Sequence, residues 1–499
     1  MSVTVIQNDF SGGVAEDIRT TNTNECGSSS NFDTITNPHR ISPYQNLELE
    51  IGSVSPLSDV ALSGCVPITY SGTTYLVSLG YTSGASLIPT FWRKTSASIV
   101  ESSWEIKAAG TGSVVRDSLV VYKGKAYALG TTGSPGQCRL WQYDGNSTAT
   151  NIGDCGGSST TPAKMFVHPE DNILYIVVGN IISKYDGSSF TATAFTLPSD
   201  RVGRSLTNYG GYLAIGCTTT NNAANSVIYL WGRDTSLSTV QESIDLGNNQ
   251  VNIIENIDNV LFAVCVNQTV GQYSNIIKKK MWVKAYTGGA VQDLKEITLG
   301  SNVLNYSSTI KVKNNNRLYW AFGNDDALYC LTKNKNGRYV VVKDRGLPSS
   351  SEITGLSIVG DIMWVSVDSG AFYRSGAPST NGAPGTAGYG DSSYTTTINP
   401  SMPISDRYKD KTLEAVSISF TAMSTGSPTL TLSYSVDNSN FTEIATDTRS
   451  NGEYTLYAAN ESDGAPFATG KEFQFKIETS SEIKIKEIKY RYRVNNEIL

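Results

Sequence analysis

Residues 119–130 read LVVYKGKAYALG, and this stretch decides the fold. An apolar run from Leu119 to Tyr122 meets Lys123-Gly124, and a second run follows in which Ala126 and Leu129 surround Tyr127. β-Branched and aromatic residues around a two-residue glycine turn predict a hairpin, because glycine takes positive φ at no steric cost. A third strand is expected at Cys138–Gly145, CRLWQYDG, and a weaker fourth at Ser147–Cys155, STATNIGDC.

The same unit recurs. With the central residue of the second strand as marker, Tyr75, Tyr127, Tyr175, Leu213, Phe262, Tyr319 and Trp364 are spaced by 52, 48, 38, 49, 57 and 45 residues. A turn precedes each marker. A third strand follows each: FWRK at Phe91, RLWQYDG at Arg139, ISKYDG at Ile182, VIYLWGRD at Val227, KMWVKAY at Lys280, ALYCLTK at Ala327 and AFYRSG at Ala371. Tyr143-Asp144-Gly145 and Tyr185-Asp186-Gly187 match letter for letter. Four short strands repeated at about 40 to 50 residues predict an all-β chain built on a six- to seven-bladed β-propeller. A pair of β-sandwiches is the other arrangement of the same strands. The seventh unit stops near Gly376 without a fourth strand, and sheets avoid unpaired edges. A segment before the first unit, around Leu47–Ile51, is therefore expected to complete it.

Composition agrees with short strands and many turns. Charged residues make up 17% of the 499 and the net charge is −6, which argues against a general nucleic-acid-binding surface. The opening MSVTVIQNDFSGGV lacks the basic head and apolar core of a secretory signal, and no run is long and apolar enough to insert in a membrane. Seven cysteines are scattered without a CxxC pair, and several sit in apolar strands, as Cys265 does in LFAVCV. They read as buried free thiols of a protein made in the cytoplasm.

Four segments follow in order. Residues 1–54 form a polar, extended N-terminal arm with isolated anchors Phe10, Ile18, Phe32, Ile35 and Tyr44, expected to dock on a neighbouring surface. Residues 55–376 form the propeller. Residues 377–403 are a Gly/Pro/Ser-rich linker. Residues 404–499 alternate apolar and polar in LEAVSISF, TLTLSYSV, FQFKIET and IKIKEIKYRYRV, which predicts a small C-terminal β-sandwich. In the last run the apolar parity changes across Glu487, so a β-bulge is expected there.

Two stretches carry a family resemblance. DFSGGVAEDIR (Asp9–Arg19), followed by NFDTITNPHRISPYQNLE (Asn31–Glu48), resembles the N-terminal signature of virion proteins of tailed bacteriophages. Arg40, Pro43 and Tyr44 fall in its basic-plus-Pro turn. LSYSVDNSNFTEI (Leu432–Ile444) and the closing basic strand resemble the C-terminal sandwich of propeller-type nozzle proteins in short-tailed phages. The resemblance implies a structural virion protein of the tail, made in the host cytoplasm. It also implies a homo-oligomeric ring, a hexamer, around the DNA exit channel, with adaptor, fibre or needle proteins as partners. DNA would pass transiently during ejection, along a neutral or acidic wall that does not hold phosphates. A fibre propeller that binds host glycans is the rival within virions. A propeller glycosidase is the rival among enzymes.

Catalytic signals are thin, and the chain reads as a non-enzyme with no cofactor and no metal. It holds two histidines, His39 in the NPHR turn and His168 in FVHPED, both read as turn residues. Neither GxSxG nor a metal-ligand spacing occurs. Ser435–Phe441, SVDNSNF, is similar to a sialidase Asp box but is read as a hairpin turn capped by Asp437. Candidate contacts to a partner or DNA path are Lys278, Lys279 and Lys280, read as guarding a sheet edge. The others are Lys484, Lys486, Lys489, Arg491 and Arg493 on one face of the last strand.

Overall fold

In the computed structural model, each of the seven marker residues lies in the second strand of an antiparallel sheet. Residues described are 63–495, except 83–87, 96–104, 110–112, 115–117, 133–136, 147–148, 159–162, 221–224, 238, 271–276, 300–308, 323–326, 334–336, 347–352, 361, 368–371, 376–387, 390–393, 399–408, 423–428, 438, 450–451, 460–467 and 480–482, together with short strands between 2 and 51. Contacts divide the chain into two compact units. One comprises Leu49–Asp326 with Pro348–Arg374; the other comprises Met1–Glu48, Ala327–Leu347 and Ser375–Leu499.

The first unit is a propeller. Its inner strands are Val66–Tyr70, Val120–Tyr122, Ala163–His168, Arg201–Tyr209, Gln250–Ile257, Thr309–Asn314 and Ile353–Val359. Each touches the next, and Ile353–Val359 touches Val66–Tyr70, so the ring closes at seven blades. In blades one to five, three further strands follow the inner one outward in chain order. In blade seven the sheet continues through Ile362–Val367 and Phe372–Ser375 to Leu47–Ile51, the segment expected to fill its edge. At the closure the Cys65 amide donates to Ser357 Oγ at 2.7 Å.

Aromatic residues at the end of the third strands suture each of four blades to the one before. Tyr143 stacks on Phe91 at 5.3 Å, and Tyr185 meets Tyr122 and Tyr127 at 6.2 and 5.8 Å. Trp231 stacks on Phe195 at 4.9 Å, and Tyr286 meets Tyr209 at 5.8 Å. The repeated Tyr-Asp-Gly is thus a structural device. Its Tyr is buried between blades, and its Asp caps the turn, Asp186 Oδ1 accepting the amides of Ser188 and Ser189 at 2.7 Å. Its Gly takes positive φ, 103° at Gly145 and 97° at Gly187. A cation from the preceding blade then closes the turn: Arg93 donates to Gly145 O and Lys123 to Asp186 O.

The second unit is a sandwich of two sheets over one core containing Leu413, Ile418, Phe420, Leu432, Phe475, Ile488 and Tyr490. Ser2–Gln7 is its edge strand, paired with the final strand from Ser2↔Arg493 to Gln7↔Ile488. Ser28–Ser30 pairs with Tyr394–Ile398 on the other sheet. The N-terminal stretch thus supplies strands to the sandwich, and within the stretch read as a linker Tyr394–Ile398 joins the sandwich while Gly388–Tyr389 pairs with Glu48 and Leu47. The bulge expected at Glu487 falls one residue earlier. Ser419 faces Glu487 and Phe420 faces Ile485, leaving Lys486 as the extra residue, while Ile483, Ile485, Ile488, Tyr490 and Tyr492 all point inward.

Six cysteines, at 65, 138, 155, 217, 265 and 330, are buried and form no disulfide among the described residues. The side chain of Cys26 lies outside the described residues. No helix among the described residues is long and apolar enough to cross a membrane.

Candidate functional site

The inner strands of a propeller aim alternate side chains at the axis, and here that axis is filled with charge. In blade five, Glu255 stands in the otherwise apolar and amide run QVNIIENI, and in blade six Lys311 and Lys313 alternate in TIKVKN. Lys311 Nζ donates to Glu255 Oε2 at 2.7 Å, to Ile254 O at 2.7 Å and to Leu206 O at 3.2 Å. It therefore ties blades four, five and six together. Thr207 Oγ1 donates to Glu255 Oε1 at 3.1 Å, and Lys313 Nζ lies 3.7 Å from the same oxygen while donating to Asn256 O. At the other end of the strands, Lys164 of blade three donates to Thr309 O of blade six at 3.3 Å, and Asn252 Nδ2 donates to Thr309 Oγ1 at 2.8 Å. A side chain thus crosses the axis between blades three positions apart. Arg204 on blade four is also buried, and burial pulls its guanidinium down to about 10, leaving it charged at neutral pH.

Across the seven inner strands the sequence supplies Lys164, Arg201, Arg204, Lys311 and Lys313 but one carboxylate, Glu255. Glycoside hydrolysis uses two carboxyl groups set roughly 5 Å or 6.5–9.5 Å apart. Among the described inner-strand residues there is no second one, and Glu255 is committed to an ion pair. No group of three His, Cys, Asp or Glu capable of holding a metal occurs among the described residues.

His168 ends the inner strand of blade three, fully buried. Its Nδ1 lies 3.1 Å from Arg233 Nη1, so that nitrogen accepts, and Nε2 faces Tyr212 O at 3.4 Å. Arg233 also donates to Asp171 at 2.8 Å, Glu170 at 3.0 Å and Gly211 O at 2.7 Å, clasping blade four to blade three. Burial, then the Arg233 charge, lower the His168 pKa. His39 lies outside the described residues.

The basic residues singled out in the sequence are distributed otherwise. Ile277–Tyr286 is the third of four strands in blade five. Lys280 is paired on both sides, with Asn267 and Thr298, and so does not guard an edge, whereas Lys278 and Lys279 pair with Thr269 and Gln268 on one side. Lys280 pairs with Glu296, and the side chains of Lys278 and Lys279 lie outside the described residues. Lys484, Lys486, Lys489, Arg491 and Arg493 do share the outer face of the final strand. That face is laced with carboxylates: Lys486 pairs with Glu453, Lys489 with Glu487 at 2.8 Å, and Arg491 and Arg493 with Glu414 at 3.2 and 3.9 Å. Asp437 caps a different turn from the one expected, its Oδ1 accepting the amides of Lys471 and Glu472 at 2.9 and 2.8 Å. The axial cluster escapes a reading of the chain alone because its members come from blades three to six. The signal present is a charged residue inside an apolar inner strand.

No family model matches the chain, and no curated protein matches it. Among solved structures, the computationally designed Ika8 protein is similar at 11% identity over 64% of this chain and 98% of its own, with a TM-score of 0.36. BamB from Moraxella catarrhalis is similar at 11% identity over 63% and 89%, with a TM-score of 0.36. An exo-β-1,3-galactanase from Phanerochaete chrysosporium is similar at 11% identity over 86% and 96%, with a TM-score of 0.31.

Proposed function

We propose that this chain is a non-catalytic structural protein of a bacteriophage tail, a subunit of a ring that surrounds the DNA exit path. The observation that carries the reading is the closed axis. Lys164 and Lys311 cross between blades to carbonyls and to the single inner-strand carboxylate, so the centre of each propeller is used for rigidity. In such a molecule a channel for DNA lies between copies, in a heterologous ring. The phage-like signature of the N-terminal stretch and the nozzle-like terminal sandwich support the place in the virion. Paired charges on the final strand favour a solvated or protein-facing surface over a phosphate-gripping one.

Mass photometry and negative-stain microscopy of the purified protein, alone and with adaptor, fibre or needle components, test this. A closed ring near six copies, with a lumen wider than a duplex, is expected. Cleavage of host polysaccharide by the purified chain would overturn the non-catalytic reading.

A further inference from the structure

We propose that Cys138 and Cys155 are a redox-modification site, a thiol pair that a low-molecular-weight disulfide oxidises to a cross-strand bond inside blade two. The two residues lie on neighbouring strands, Gln137–Tyr143 and Thr150–Ser158, the third and the outermost of that blade. A bulge brings them together. Cys138 faces Gly156 and Arg139 faces Asp154, which leaves Cys155 as an extra residue beside Gly156. Gly156 takes the positive φ, 71°, that such a bulge asks of a glycine. The Cys155 thiol thereby reaches the Cys138 sulfur and shares a hydrogen bond with it. Both side chains are fully buried in one apolar cluster with Tyr122, Leu129, Leu174 and Tyr185, at the seam between blades two and three. The seam also holds the backbone in place, Ser183 Oγ donating to Cys155 O at 3.1 Å.

Adjacent strands run about 4.8 Å apart, within the Cα separation of roughly 4.4–6.8 Å that a disulfide spans. Two thiols already in contact across such strands can therefore be joined without moving the sheet. Cys217 and Cys265 instead face Val227 and Trp282 on the next strand. The reaction is thiol–disulfide exchange in two steps. One cysteine thiolate attacks a sulfur of the oxidant, forms a mixed disulfide and releases half of the oxidant as a thiolate. The second cysteine thiolate then attacks the protein sulfur of that mixed disulfide, closes the Cys138–Cys155 bond and releases the other half. The pair gives up two protons and two electrons, and the oxidant is reduced to two thiols. Its hydrogen bond to Cys138 and its burial raise the Cys155 pKa, so exchange is slow while the blade is closed. Access comes through the outermost strand, whose register shifts at three points, which makes local opening cheap there. A reducing cytoplasm keeps the pair as thiols, and an oxidising medium outside the cell closes it. The bond would then pin the outermost strand of blade two to its neighbour and shorten the free loop of the unfolded chain. This site lies beyond the ring-forming role, and its test reads thiol state rather than copy number.

The full chain, purified under reductant and kept folded, is incubated with oxidised glutathione at about pH 8, where thiolates form. Remaining thiols are then alkylated with iodoacetamide in denaturant, and the digest is mapped by mass spectrometry. The expected product is a Cys138–Cys155 cross-linked peptide pair, two hydrogens lighter than the reduced pair. The melting temperature should rise by about 5 °C on oxidation and return with dithiothreitol. Cys217→Ala should keep both the bond and the rise, and Cys138→Ala should lose both. Mapping of the unaltered chain decides the matter even if a variant fails to fold. Alkylation of both Cys138 and Cys155 after oxidation overturns the proposal, as does finding them bonded only to glutathione or to other cysteines. A Cys138–Cys155 bond that leaves the melting temperature unchanged overturns its locking role.

Discussion

Replacing Lys311 by Met should unlock the propeller axis. The ammonium group donates to Glu255 and to two carbonyls, on blades four and five. Met fills similar volume but removes the charge, leaving Glu255, whose side chain is 8% exposed, with Thr207 Oγ1 and a Lys313 amine 3.7 Å away. Removing one partner of a buried pair costs about 3–5 kcal/mol. The Lys311 side chain is 23% exposed and Lys313 compensates in part, so the low end applies, about 3 kcal/mol. That corresponds to a fall of about 5 °C in melting temperature for a unit of this size. All seven tryptophans, at 92, 104, 141, 231, 282, 320 and 364, lie in the propeller stretch, so tryptophan fluorescence during urea or thermal unfolding follows this unit. Adding Glu255→Gln removes the stranded charge and should restore most of the loss. A Lys311→Met protein within about 0.5 kcal/mol of wild type would refute the reasoning, as would a double variant no more stable than the single.

Further expectations concern the turns and charges. Gly145→Ala forces a side chain into positive φ and places its Cβ 2.8 Å from Tyr70 Cβ, whereas at Gly187 the obstruction is the flexible end of Lys123. Gly145→Ala should therefore destabilise more than Gly187→Ala, by about 2 kcal/mol against 1, read from urea midpoints. The Asp186 carboxyl is held down to about 2, below its usual 3.8, by the Ser189 amide and then by the Ser188 hydroxyl and amide. Its stabilisation is thus complete above about pH 4 and disappears as the pH falls towards 2, and Asp186→Asn should flatten that part of a melting-temperature profile. His168 is shifted down from 6.5 by burial and by Arg233, so the unfolded chain takes its proton first and stability falls as the pH drops below 6.5. Calorimetric profiles of His168→Gln should lack that slope. On the sandwich, Glu453→Gln frees Lys486 from an exposed pair and should change stability by less than about 1 kcal/mol in thermal melts.

Much of the fold is legible in the chain. The markers from Tyr75 to Trp364 identify second strands because a strand buried on both faces needs a short continuous apolar run, and a Lys123-Gly124 turn needs nothing distant to form. The missing fourth strand of blade seven could be argued from Leu47–Ile51 because an open edge is costly wherever it occurs. Even the slip in parity near Glu487 is visible, though the choice of Lys486 as the extra residue depends on which residue Phe420 faces. The N-terminal stretch was harder. Its strand Ser2–Gln7 is written in ordinary alternating residues, and its partner lies at the opposite end of the chain.

The chain alone established the strands and turns and bounded the blades at six or seven, because these follow from side-chain period and from backbone freedom within a few residues; ring closure set the number at seven. The tertiary structure alone decided what the charges do. Lys311 meets Glu255 because two inner strands converge on one axis, and Lys486 meets Glu453 across an intervening strand. Ring closure and sheet order bring together side chains that are far apart in the chain, and Coulombic and hydrogen-bonding terms depend on distance in space. The bridged axis therefore arises from the packing of blades.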